Sequence, residues 1–163
     1  MLRVERAVLG DIDAIVKLSR ETWLDTYGAW YSDSATERLL AVWLEPTGLT
    51  VAIQDPLGFV AVARAESGEI VGVLSARLAN AGRVPKIHRL YVLPSRQRQG
   101  VGTALLRAFV AECSTAESVC LEVQVGNQKG LTFWLRQGFF ETGVEERSVA
   151  GETIRVIEMA RKL

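Results

Sequence analysis

The segment Leu90-Tyr-Val-Leu-Pro-Ser-Arg-Gln-Arg-Gln-Gly-Val-Gly-Thr-Ala-Leu105 decides how this chain is read. Lys86 to Val92 reads as a strand closed by Pro94. A basic loop carrying Arg96 and Arg98 follows. Gly100 and Gly102 then open a helix whose apolar residues Leu105, Leu106, Phe109, Val110 and Cys113 recur at helical spacing. The first turn of a helix has unpaired N–H groups and the positive end of the macrodipole, a seat for a phosphate. Glycines keep side chains out of that seat, and the two arginines add charge. The same segment also reads as a tight strand-to-helix turn with two solvated arginines. It lacks the Gly-Lys-Ser/Thr of the NTPase phosphate loop and the third glycine of the dinucleotide fingerprint.

Downstream, Val119, Leu121, Val123 and Val125 alternate, so Val119 to Val125 is predicted as a central strand. It must run parallel to the strand before the helix, because the crossover is too long for a hairpin. Asn127 to Gln137 is a further helix stopped by Gly138. Phe139 to Arg147 and Thr153 to Arg161 form a last hairpin around Ala150-Gly151.

Upstream, Leu2 to Val8 is a first strand. Asp11 is the expected N-cap of a helix that stacks Ile12, Ile15, Val16, Ser19 and Trp23 on one face. A second helix starts near Ser32 or Ser34 and ends near Leu44, and Pro46, Gly48, Pro56 and Gly58 mark irregular chain after it. Phe59 to Ala65 and Ile70 to Leu78 are strands joined through Glu66-Ser-Gly-Glu69. The predicted order is strand, two helices, three strands, helix, strand, helix, two strands: a mixed α/β sheet with helices on both faces.

The length of 163 residues suits one domain spanning the chain, and no repeat or Pro/Ser-rich linker divides it. Nineteen basic residues balance 19 acidic ones, which argues against a general nucleic-acid binder. Two cysteines, Cys113 and Cys120, and one histidine, His88, make neither a disulfide framework nor a zinc site. No apolar run approaches the ~20 residues that span a bilayer. A soluble protein in a reducing, cytoplasmic setting is expected, with no metal and no membrane partner.

Gln97-x-x-Gly100-x-Gly102, placed after Leu90-Tyr-Val and before an amphipathic helix, resembles the pyrophosphate motif of the GNAT superfamily of N-acetyltransferases. A second motif stands in register: Leu121-Glu-Val-Gln-Val-Gly-Asn127, then Phe133-Trp-Leu-Arg-Gln-Gly-Phe139. With the element order, the resemblance covers nearly the whole chain. It implies the GNAT fold, with six to seven strands in a mixed sheet flanked by about four helices. It also implies acetyl-CoA as co-substrate and direct transfer to a primary amine of a small molecule or peptide, in a ternary complex that leaves both cysteines unused. A homodimer is compatible with it.

Carried over residue by residue, the resemblance gives a cofactor set of Leu90, Tyr91, Val92, Gln97, Arg98, Gln99, Gly100, Val101, Gly102, Thr103 and Asn127. Loop N–H groups would hold the pyrophosphate, with Gly100 and Gly102 clearing its space. The edge from Leu90 to Val92 would pair with the pantetheine arm, the Val92 N–H would polarise the thioester carbonyl, and Asn127 would contact the arm. A general base is needed, since only a neutral amine attacks. Glu122 and His88 are the two candidates, and spacing to Asn127 favours Glu122. His88 is expected to share a strand face with Leu90 and Val92. The family's acid, a Tyr seven residues after the Asn, is here Trp134, whose indole cannot give up a proton; Tyr91, Tyr27, Tyr31 or water must serve, or nothing does. Glu21 to Tyr31 mixes acids with aromatics and reads either as a pocket for a cationic amine or as an ordinary helix. A catalytically silent acyl-CoA sensor is the competing reading.

Overall fold

The computed structural model describes residues 1–80 and 82–163. Seven strands form one sheet in the order β1-β2-β3-β4-β5-β7-β6. They are β1 (Arg3–Arg6), β2 (Gly58–Arg64), β3 (Ile70–Arg77), β4 (Lys86–Val92), β5 (Ser118–Gln124), β6 (Phe140–Val149) and β7 (Glu152–Lys162). The helices are α1 (Ile12–Tyr27), α2 (Asp33–Trp43), α3 (Pro46–Gln54), α4 (Val101–Glu112) and α5 (Gln128–Arg136). All strand neighbours are antiparallel except β4 and β5, joined by the predicted crossover. No described helix is long and apolar enough to cross a membrane.

Two local expectations change. The stretch after Leu44 is a helix, α3, which brings the α-helices to five among the described residues. Pro46, read as a breaker, stands where a helix has no use for its N–H, and the Glu45 carboxylate accepts from the N–H groups of Thr47 and Gly48. Gly58 then allows a close approach, since a Cβ there would lie 1.9 Å from the Ala52 carbonyl oxygen. Asp11 precedes α1 but does not cap it. Its carboxylate accepts from the Val8 N–H at 3.1 Å and from Arg64 at 2.7 Å.

The core lies on both faces of the sheet. On one face α4 and α5 cover Phe59, Leu74, Ile87, Leu121, Val123 and Met159. On the other, α1 and α3 cover Val60, Val62 and Val73, while α1 and α2 set Trp23, Leu39 and Leu40 against Ile154 and Val156. Trp23 is thus core, 1% exposed, and Glu21 and Asp25 point to solvent. Of the two readings open for that stretch, Trp23, Glu21 and Asp25 take the places of an ordinary helix.

Candidate active site

Strands β4 and β5 pair only at Lys86↔Cys120 and Ile87↔Leu121. Beyond Ile87 they part, while β5 stays paired with β7 along its whole length and β4 with β3. Leu93 donates to Val71 of β3 at 3.0 Å, so by antiparallel alternation the polar groups of Leu90 and Val92 point away from β3, toward the gap. An open strand edge therefore lies in the middle of a sheet. The Val92 carbonyl there accepts from Gln97 Nε2 at 3.1 Å and from the Thr22 hydroxyl at 3.4 Å. Tyr91 turns its ring to the α1 face and offers the edge only backbone.

A β-bulge sits at the fork. Ser75 is opposite Arg89 and Ala76 opposite Ile87, which leaves His88 as the extra residue. Strand alternation breaks there: Ile87, Leu90 and Val92 all pack toward α4, although Ile87 and Leu90 are three apart. His88 consequently does not share the face of Leu90 and Val92. It stands with Lys86 on the opposite, α1-side face.

The gap leads to the loop before α4. Arg98 and Gly100 adopt left-handed conformations, φ 62° and 83°, on either side of Gln99. Among the described residues, no acceptor meets the N–H groups of Arg98, Gln99 and Gly100, and those of Val101, Gly102 and Thr103 are the orphan donors of the first helical turn. Such a run of free N–H groups is an anion cradle. Gln99 braces it by donating to the Ser95 carbonyl at 3.0 Å. Gly102 also has a packing role: a Cβ on it would lie 3.2 Å from the Phe133 ring, so its smallness lets α5 approach α4. Beyond Thr103 a cleft of about 410 Å³ runs between α4 and α5, lined by Arg107, Arg136, Gln137 and Arg161.

Glu122 and His88 lie on the same face. The Glu122 carboxylate accepts from Arg147 at 2.6 Å and Lys86 at 3.1 Å. Burial works against its charge, but these two cations prevail and hold the carboxyl below the usual carboxylate range. That leaves it a weak proton acceptor. His88 is pushed below the usual imidazole value, first by burial, then by the charges of Lys86, Arg89 and Arg77, with Glu122 opposing. Its ring is therefore neutral at pH 7 and free to accept a proton.

At the far end, Asn127 caps α5: its Oδ1 accepts from the Gly130 N–H and its Nδ2 donates to the Tyr27 hydroxyl, both at 2.9 Å. Tyr27 thus accepts one bond and keeps its own proton to donate. Burial, with like charge at Tyr91, raises its pKa well above the ordinary phenol value. Tyr31 is held in turn by the Gln124 amide. Trp134 faces inward, 7% exposed, against Phe133 and Phe139 at ring distances of 4.9 and 5.1 Å. Trp134→Phe is accordingly expected to reduce turnover by less than about tenfold, the low end of a proton-transfer effect, while lowering the melting temperature. A much larger loss in a folded variant would mean that the indole orders the reacting groups. Both cysteine thiols are pushed up by burial, which makes them poor nucleophiles. Among the described residues, no cluster of three or more His, Cys, Asp or Glu could hold a metal ion.

Residues 14–139 match the Acetyltransferase (GNAT) family. The chain is 28% identical over 155 residues to the N-alpha-acetyltransferase of Sulfurisphaera tokodaii, covering 87% of this chain and 82% of that one. It is 27% identical over 144 residues to the mycothiol acetyltransferase of Propionibacterium freudenreichii, covering 85% of this chain but 43% of that longer protein. The fold superimposes on the PaiA N-acetyltransferase of Thermoplasma acidophilum, solved in complex with coenzyme A, with a TM-score of 0.81 at 19% identity, covering 100% and 99% of the two chains.

Proposed function

Because the chain belongs to the GNAT acetyltransferase family, we propose that it moves an acetyl group from acetyl-CoA to an amine by direct attack in a ternary complex. The observation that carries this reading is the open edge at Leu90 and Val92 leading into the unpaired N–H groups of Arg98 to Thr103. An extended chain of amides fits such an edge, and a pyrophosphate fits such a cradle. When bound, acetyl-CoA supplies the thioester whose carbon–sulfur bond breaks as the amine–carbon bond forms.

The loop and the first turn of α4 bind the phosphates, and the arginine-lined cleft beyond Thr103 receives the nucleotide end. The Val92 N–H faces the gap as a donor for the acyl oxygen. Asn127 keeps one amide hydrogen for the pantetheine arm, since only the other is given to Tyr27. His88 takes the amine proton on its imidazole, and the Tyr27 hydroxyl, kept protonated by its raised pKa, donates a hydrogen bond to the departing sulfur. Glu122 neutralises Lys86 and Arg147 beside His88. The raised thiol pKa values of Cys113 and Cys120 favour direct transfer over a covalent acyl-enzyme.

The test is CoA release with a panel of primary amines, alongside thermal shift with acetyl-CoA. Turnover with at least one amine supports the enzyme. Stabilisation by acetyl-CoA without turnover on any amine would instead support the silent sensor, the reading that Trp134 at the usual Tyr position favours. Tyr27→Phe is expected to lower kcat by about 10- to 100-fold, the range of a lost hydrogen bond to a charged group, with the acetyl-CoA KM little changed. Unchanged kcat would leave the stabilisation of the departing thiolate to water.

A further inference from the structure

The face that carries His88 opens into a second cavity, of about 500 Å³, lined by Arg77, Asn80, Arg83, Lys86 and His88 between the aliphatic side chains of Leu78 and Val84. Every ionised side chain on its wall is a cation. Arg77 pairs with Asp55 at 2.5 Å, and Lys86 shares the single Glu122 carboxylate with Arg147. Arg83 has no ion-pair partner among the described residues. The bulge at His88 turns the imidazole into this cavity, away from the face that holds Leu90 and Val92. The group proposed to take the amine proton is therefore part of a cationic wall.

From this we infer that the acceptor is an amine bearing a carboxylate close to its reacting nitrogen, which the cavity holds by Arg83, Lys86 and Arg77 while the amine faces His88. The inference rests on the acetyltransferase reading above. An arginine fork matches a carboxylate in two parallel hydrogen bonds, which adds geometric selection to the charge attraction. The same wall repels a purely cationic amine, so the selection works by both attraction and exclusion. Free amino acids and peptides with an acidic first or second residue present the same chemistry, and the assay separates them.

The experiment measures kcat/KM for CoA release with matched acceptors that differ only in carboxylate against amide. The pairs are glutamate against glutamine α-amide, and tetrapeptides starting with Glu or Gln; a polyamine is the cationic arm. The parent enzyme is expected to prefer the carboxylate member at least tenfold in one pair, which also identifies the source. Arg83→Glu is expected to abolish that preference and raise the rate on the polyamine, with Arg83→Gln intermediate. An acetyl-CoA thermal shift confirms that each variant is folded. Equal rates on both members of both pairs overturn the inference and leave the acetyltransferase reading standing. So does a preference that survives Arg83→Glu. Acetyl-CoA binding with no CoA release from any acceptor overturns both.

Discussion

His88→Gln is expected to lower kcat/KM by about 10²–10⁴-fold, the span of a lost general base. The protein should remain folded, because His88 is an exposed bulge residue at the rim of a cavity. Glu122→Gln is expected to be mild at neutral pH, since that carboxylate is committed to Arg147 and Lys86. The pH profile separates the two. A base works in its neutral form, and the His88 pKa is lowered, so the acidic limb of kcat falls below the ordinary imidazole value of about 6.5. Activity is lost as pH drops through that limb and is level above it. Glu122 is the one neighbour that raises the His88 pKa, so Glu122→Gln should move the limb lower still. Near-parental rates in both variants across about pH 6–9, which brackets the imidazole range, would leave proton removal to water and the catalysis to positioning.

Gly100→Val is expected to weaken acetyl-CoA binding by tenfold or more. Gly100 is held at φ 83° immediately before α4, a conformation that costs a β-branched residue about 1–3 kcal/mol. Relaxing that strain turns the N–H groups of the cradle, and each charge-assisted bond to phosphate is worth about 1.5–3 kcal/mol. No atom lies within 4 Å of a Cβ there, so the effect comes through backbone and not through a clash. Gly102→Val acts differently: its side chain meets Phe133, so stability falls along with binding. Calorimetric titration with acetyl-CoA beside a melting curve distinguishes them. Undiminished affinity in Gly100→Val would place the phosphates elsewhere.

Local rules were enough for most elements because the signals that start and stop them are local. Gly138, at φ 86°, ends α5 with the Phe139 N–H returning to the Trp134 carbonyl, as the glycine implied. The alternation of Val119 to Val123 marked a strand buried on one face, and the long crossover made it parallel to β4. Helix α3 escaped because Pro46 and Gly48 carry a break signal in isolation. Only the Glu45 side chain turns that signal into a start.

The site divides along the same line. Spacing along the chain encodes the element order, the glycine-bearing loop before α4 and the short list of titratable candidates, since each depends on neighbours a few residues apart. Tertiary structure decided what those candidates can do. The bulge that puts His88 on the opposite face from Leu90 requires β3 as partner, and the clamp on Glu122 brings Lys86 from β4 and Arg147 from β6. The bond between Tyr27 and Asn127 joins residues a hundred positions apart. Protonation, facing and pairing are set by charges and register between distant strands, and no spacing along one strand encodes them.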